Sequence, residues 1–474
     1  MIGRAFLGCL VVFSVFACSS SDGESGTPAV GKGGASSAGA PSSGGAGPSS
    51  TGTSGDKGHS GVPSSGGAAS VAGSPSSVAG GSGGSAGSAA AVGGGSHVAG
   101  AGGQRSAPIA VKDLPAIKEM PDPLTMKDGT KVTTPEQWKV RRQELIQILE
   151  DYEYGHMPPA PGNVKASVAT AAHRISVTSG LEADYQMLHL TFGPGDKLGF
   201  DLGLFTPATA TPGSDKFPVL ISLTSTTDEK SLSSASAALS RGYAVATVPY
   251  QKLGADSSSW AKSGFFPSYP DYDWRDISAW AWGLSRAVDY LVTAPAIAPD
   301  KIMITGVSRL AQAVLLAGAF DERIALSAPV AGGAAFRFSG KEMGGGLGQG
   351  ITEIVDQNTY WFGPRLPDFR NQTPRLPSDQ HWLPALTAPR LFIMCNSLSD
   401  QYGRAYAAVQ SYLGAKPVYE FLGVEPNLGV HFRAGSHGMT SEDWSALLDF
   451  ADQYLLKKGG TKKFDVIPPA DQTP

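Results

Sequence analysis

The chain has 474 residues, with 37 Lys plus Arg against 41 Asp plus Glu and a net charge of −4. No basic block rises above ordinary helix faces, which excludes nucleic acid as an expected partner. Of the 61 Gly, 27 fall between Ser21 and Ser106, in a stretch with no Leu, Ile, Met, Phe, Tyr or Trp; that stretch cannot offset its ordering entropy by apolar burial, and about 360 residues remain to build a core.

Met1-Ile-Gly-Arg4 and the apolar run from Ala5 to Ala17 form the charged and apolar parts of an export signal, too short to span a bilayer. The run ends Val15-Phe16-Ala17-Cys18-Ser19, which resembles a bacterial lipoprotein signal whose cysteine becomes the lipidated first residue. Phe16 is bulkier than that pattern usually carries, and an ordinary secretory signal cleaved nearby is the alternative. Either way the expectation is export, as an outer-membrane or cell-surface lipoprotein or a secreted protein, with a membrane met only through the lipid. Residues 1–18 are thus read as the signal, 19–107 as a Gly/Ser/Ala linker, 108–467 as one folded domain and 468–474 as a tail. Cys395 is the single cysteine of the body, so a disulfide framework is not expected.

In the body, Thr133-Thr134-Pro135-Glu136-Gln137 opens a helix with a hydroxyl cap and Pro in its first turn; Trp138, Leu145, Ile148 and Leu149 supply its apolar face. From Phe217 the text alternates. Strands are expected at Pro218–Leu223, Tyr243–Val248, Lys301–Thr305, Ile324–Pro329 and Arg390–Cys395, and helices at Ser231–Arg241, Asp276–Val292, Arg309–Ala319, Gly403–Leu413 and Ser441–Leu456. Short apolar strands alternating with amphipathic helices mean parallel strands with crossover helices. The expected fold is α/β, a doubly wound and mostly parallel sheet in a three-layer α/β/α sandwich. Residues 332–388 are read as an irregular insertion over the carboxyl edge of the sheet.

Lys301-Ile-Met-Ile-Thr-Gly306-Val-Ser308-Arg309 is strand, Gly-x-Ser, then helix. In an α/β-hydrolase the nucleophile occupies such a turn, because there its Oγ is exposed and a helix N-terminus faces the developing oxyanion. Leu310 stands where the usual motif has its second Gly, and a plain Ser cap is the competing reading. A serine nucleophile needs an imidazole base, and that base needs a carboxylate. Chain order in this fold is Ser, acid, His. Of the late histidines, His437 lies in a loop before the last helix, whereas His381 reads as a brace of the insertion and His431 as a strand residue. Asp400 follows the strand Arg390–Cys395 and is the candidate acid, a surface-turn Asp being the alternative.

The run Ile277-Ser-Ala-Trp-Ala-Trp-Gly-Leu-Ser-Arg-Ala-Val-Asp-Tyr, then Gly306-Val-Ser308-Arg309 and Phe320-Asp-Glu-Arg-Ile-Ala-Leu, resembles the glucuronoyl methylesterase family of carbohydrate esterases. So do Asp122-Pro-Leu with Asp128-Gly-Thr-Lys-Val-Thr-Thr, Tyr154-Gly-His-Met-Pro158, Tyr360-Trp-Phe362, Ser378-Asp-Gln-His381 with Ala388-Pro-Arg390, and Gly435-Ser-His437 before Asp443-Trp444, in the family's order. The resemblance covers about Asp122 to Leu455. It implies an α/β-hydrolase that cleaves esters of glucuronic acid, such as those joining glucuronoxylan to lignin alcohols, with His437 as base and Arg309 turned to the oxyanion.

The resemblance also marks departures. Gln312 stands for a lysine that contacts sugar hydroxyls, Gln349 for an acidic sugar contact, and Tyr402 for a Trp two residues past the acid. Ala331 stands where family members often carry a second carboxylate, which leaves Asp400 alone, with Glu353 and Asp356 next in line as acids. Trp361 is read as a cleft wall or a core aromatic. Gln can still bond hydroxyls and Tyr can still stack on a pyranose. The expectation is therefore an exported serine esterase acting as a monomer on a carbohydrate ester, with no metal and no cofactor, since neither His-Glu-x-x-His nor a phosphate loop is present. An esterase of another sugar ester, such as an acetylated sugar, and a non-catalytic carbohydrate-binding lipoprotein are the other readings.

Overall fold

The computed structural model describes residues 107–469, apart from 179, 209–215, 233–235 and 345–347. The signal segment, Cys18, almost all of the linker and the end of the tail lie outside the described residues.

Nine strands form one sheet: β1 (Lys165–Thr178), β2 (Leu181–Phe192), β3 (Leu198–Pro207), β4 (Phe217–Thr224), β5 (Ala244–Pro249), β6 (Ile297–Val307), β7 (Leu326–Val330), β8 (Leu391–Ser397) and β9 (Leu428–Arg433). Their order is β1-β2-β3-β5-β4-β6-β7-β8-β9. The six strands from β5 to β9 pair in parallel, and β1, β2 and β3 add antiparallel on one side. The helices are α1 (Pro135–Leu149), α2 (Ser236–Ser240), α3 (Tyr250–Leu253), α4 (Asp276–Leu291), α5 (Arg309–Phe320), α6 (Ile351–Gln357), α7 (Trp382–Thr387), α8 (Ala405–Phe421) and α9 (Ser441–Phe450).

Strand residues alternate between two cores, as the period of two demands. Val219, Ile221, Ile302, Ile304, Phe392 and Met394 pack under α1, α4, α5, α7 and α8. Leu220, Met303, Ile393 and Cys395 pack on the other face with Leu239 of α2 and with Trp444, Leu447 and Phe450 of α9. The sheet is thus covered on both faces, which gives the three layers and explains why its parallel strands read as unbroken apolar runs.

The capping box of α1 forms as its residues predict, with Gln137 N–H donating to Thr134 Oγ1. Four expectations change. The sequence reading starts the sheet at Phe217 and omits β1, β2 and β3. Where a helix is expected over Ser231–Arg241, the described residues show a 3-10 turn at Glu229–Leu232 and the short α2. The helix expected to stop at Leu413 runs on to Phe421, straight through Pro417. The insertion is not wholly irregular, since α6 and α7 lie in it. His381 does brace it: the buried ring donates from Nε2 to the Pro121 carbonyl at 2.8 Å.

Candidate active site

Ser308 sits between β6 and α5 with φ 63° and ψ −127°, a left-handed conformation that costs a non-glycine residue about 1–3 kcal/mol. The turn is held open by close packing. Ser308 N–H donates to the Val330 carbonyl at 2.9 Å, and a Cβ on Gly332 would lie 2.6 Å from the Ala311 methyl. Only glycine against alanine lets the loop after β7 pass the first turn of α5 so closely.

The loops after β8 and β9 are joined to each other by backbone bonds, Leu398 N–H to the Arg433 carbonyl at 2.8 Å and Ser399 N–H to the Gly435 carbonyl at 3.2 Å. That pairing brings His437 Nδ1 to 2.8 Å from Asp400 Oδ2. The second oxygen of Asp400 accepts from the amides of Tyr402 and Gly403 at 2.8 and 3.0 Å. Burial would raise the Asp400 carboxyl, but the imidazole and the two amides outweigh it and hold its pKa below the ordinary value. An ionised carboxylate at Nδ1 keeps the proton there and leaves Nε2 as a lone pair, the form a general base needs. The other candidate acids are engaged elsewhere. Glu353 accepts from the amides of Lys341 and Gly350, and Asp356 pairs with Arg370.

Ser308 and His437 line one cleft, together with Arg309, Gln312, Gln349, Trp361 and Tyr402. Apart from the reserve acids Glu353 and Asp356, the candidate residues of the body are therefore brought to one place, Asp400 standing directly behind His437. Tyr402 presents its half-exposed ring edge-on to His437, with centroids 5.0 Å apart. Gln312 Oε1 is buried and has no hydrogen-bond partner among the described residues. The Gln349 backbone N–H donates to the Tyr402 carbonyl at 3.0 Å. Trp361 answers to both of its readings, since it lines the cleft and packs against the core. Ala331, with φ 53°, also lines the cleft and offers it no carboxylate. A broader depression bordered by Tyr185, Asp201 and Lys252 holds none of these residues.

Residues that the sequence reading passed over complete the geometry. Arg433 donates from Nε to Asp443 Oδ2 at 2.6 Å and, through its two terminal nitrogens, to the carbonyls of Ala434, Ser436 and Gly438. One buried guanidinium thus laces the loop that carries His437. Arg309 is gripped by Tyr250 and Asp256: Nη2 donates to Tyr250 Oη at 3.1 Å, and Nε lies 2.6 Å from Asp256 Oδ2 without the alignment of a hydrogen bond. The only local hint of Arg433 was a charged residue ending an apolar strand. Nothing in the Ser-rich text around Asp256 marked it.

Among the described residues no group of His, Cys, Asp and Glu could hold a metal ion, and no helix is long and apolar enough to cross a membrane. Chemically, the cleft offers a half-buried hydroxyl at a helix N-terminus, an imidazole backed by a carboxylate, and a fixed cation, which together suit acyl transfer.

Comparison with known proteins agrees. Residues 194–423 match a family model described as glucuronyl esterase, fungi. A 4-O-methyl-glucuronoyl methylesterase of Phanerochaete carnosa is 31% identical over 72% of this chain and 82% of its own length. A carbohydrate esterase of an unknown prokaryotic organism is 30% identical over 71% and 89%. Among solved structures, a carbohydrate esterase family 15 glucuronoyl esterase from Caldicellulosiruptor kristjansonii superposes with a TM-score of 0.63 at 32% identity, over 76% of this chain and 96% of that one. A glucuronoyl esterase mutant from Sporotrichum thermophile, solved with methyl 4-O-methyl-β-D-glucopyranuronate, gives 0.60 at 26% identity, over 76% and 94%.

Proposed function

Because this chain belongs to the glucuronoyl esterases of carbohydrate esterase family 15 and is a carboxylic ester hydrolase, we propose that it cleaves esters of glucuronic acid through an acyl-enzyme on Ser308. The substrate class is the 4-O-methyl-glucuronoyl ester that links glucuronoxylan to lignin alcohols. The observation that carries the reading is the 2.8 Å contact of His437 Nδ1 with Asp400, in the cleft that also holds Ser308.

In this mechanism Ser308 Oγ attacks the ester carbonyl while His437 Nε2 takes its proton. The carbonyl oxygen becomes an oxyanion facing Arg309 and the N-terminus of α5. Collapse breaks the bond to the alcohol, which leaves with the proton from His437. Water then repeats the sequence: His437 takes one of its protons, the hydroxyl adds to the acyl carbon, and the glucuronate departs as Ser308 regains its hydrogen. Asp400 stays ionised throughout and steadies the imidazolium. Gln312, Gln349, Tyr402 and Trp361 contact the sugar, the two amides by hydrogen bonds and the two rings by their faces or edges. The protein is exported, and Cys18 carries a lipid that leaves the body tethered through residues 19–107; Cys18→Ser then abolishes lipid labelling, and unchanged membrane partition of that variant counts against the anchor.

The test is turnover of the body lacking residues 1–107 on a benzyl ester of glucuronic acid and on an acetylated sugar. Preference for the glucuronate, lost by several orders of magnitude in Ser308→Ala and His437→Ala, is the expected result. Preference for the acetyl ester would move the substrate class. Absence of turnover on both, with Ser308 unreactive toward a fluorophosphonate, would leave a sugar-binding protein.

A further inference from the structure

We propose that Asp256 is a positioning residue for this reaction: it holds the Arg309 guanidinium beside Ser308 and is itself held by Trp361 in the substrate cleft. The inference rests on the assignment of Arg309 to the oxyanion.

An arginine in the first turn of α5 opposes the helix dipole, and its long side chain would turn to water unless tied. Two groups tie it, Asp256 Oδ2 at 2.6 Å from Nε and Tyr250 Oη at 3.1 Å from Nη2. The other oxygen of Asp256 accepts from Trp361 Nε1 at 2.8 Å. The Asp256 amide donates to Asp276 Oδ2 at 2.9 Å, and the first amides of α4, on Asp276 and Ile277, donate to the carbonyls of Tyr360 and Trp361 at 3.0 and 3.1 Å. Loop, helix end and cleft wall therefore close a ring around one carboxylate.

The backbone is arranged to deliver that carboxylate. Asp256 has φ 55°, a left-handed conformation that Asp adopts more readily than most residues. Two residues earlier, a Cβ on Gly254 would lie 2.4 Å from Asp276 Oδ1, so the path admits glycine alone. A fixed cation needs no reorganisation when charge develops, which is what makes it effective in the transition state. Asp256 acts through Arg309 and touches no reacting atom.

A double-mutant cycle on the benzyl glucuronate ester tests this. Asp256→Asn and Asp256→Gly both tolerate the left-handed backbone, and both keep the chain foldable while removing the charge. Each is expected to lower kcat about 10- to 100-fold with KM within about threefold, against about 100- to 1,000-fold for Arg309→Ala. In the Arg309→Ala background neither should cost more than about twofold, because a residue that acts through Arg309 has nothing left to position. Wild-type kcat in the two Asp256 variants, or losses that multiply with Arg309→Ala, would overturn the proposal. Ser308→Ala separates the failures: if it keeps turnover the esterase site itself is wrong, whereas an inactive Ser308→Ala beside fully active Asp256 variants defeats only the role given to Asp256.

Discussion

At Asp400, exchange of one oxygen for an amide nitrogen separates charge from shape. Asp400→Asn retains an acceptor and the packing of a side chain that is only 1% exposed, but its NH2 competes for the place where His437 Nδ1–H now donates, and the imidazole is pushed toward the wrong tautomer. A loss of up to about 10,000-fold in kcat is expected. Ala331 offers no carboxylate to compensate, so adding Ala331→Glu to the Asp400→Asn variant should restore part of the rate; its backbone already holds φ 53°. Steady-state kinetics of the three proteins decide it, and an Asp400→Asn enzyme with more than about a tenth of wild-type turnover places the acid elsewhere. Gln312 is tested by KM: with an orphan buried Oε1, Gln312→Leu should weaken glucuronate binding and leave the acylation rate of a small fluorophosphonate within about threefold.

Two elements owe their form to single side chains. The loop from β9 to α9 is laced by Arg433, and Arg433→Gln would leave the fully buried Asp443 carboxylate without its cation. The expected cost is about 3–5 kcal/mol, read from urea unfolding, together with a fall in kcat as the His437 loop loosens. Unchanged stability would show the amides of the loop to be sufficient. Helix α8 passes Gly414 directly over His381, where a Cβ would meet the ring at 2.8 Å. Gly414→Ala should therefore destabilise by about 1–3 kcal/mol through overpacking, although the same change in an exposed helix would stabilise. That contact and the surrounding burial also explain why α8 continues past Gly414 and Pro417, where sequence rules end it.

Across the whole folded body, three groups make stability fall toward alkaline pH. Burial pushes the carboxyls of Glu153 and Asp276 up to about 8, the latter with help from the Asp256 charge. Both bind more protons folded than unfolded between their ordinary values of 4.5 and 3.8 and about 8, so stability declines as pH rises through that window. His156 is raised from 6.5 to about 10 by Asp151 and Asp273; the stability it contributes is complete below 6.5 and disappears as pH rises through 10. Below pH 6.5 the buried His381, lowered to about 4, and His431, also lowered by burial, oppose the two carboxyls, so the thermal midpoint is expected to fall chiefly between pH 6.5 and pH 10. Glu153→Gln, which mimics the neutral carboxyl, should flatten that slope. A slope left unchanged would assign the titration to other groups.

The local text of the chain determined five of the six parallel strands, the strand–serine–helix turn at Ser308 and the places of Asp400 and His437 late in the chain, because periodicity, turn chemistry and chain order are short-range properties. Family blocks added Arg309 and the altered positions Gln312, Gln349 and Tyr402. Tertiary structure alone decided what lies far apart in the chain. Strand β1 is mostly exposed and, with β2 and β3, pairs antiparallel, so these strands carry no unbroken apolar run to announce them. Arg309 meets Tyr250 across 59 residues, and Trp361 meets Asp256 across 105. A hydrogen bond over such a separation leaves no periodic trace in sequence; it exists only once the sheet has set the ends of its strands side by side.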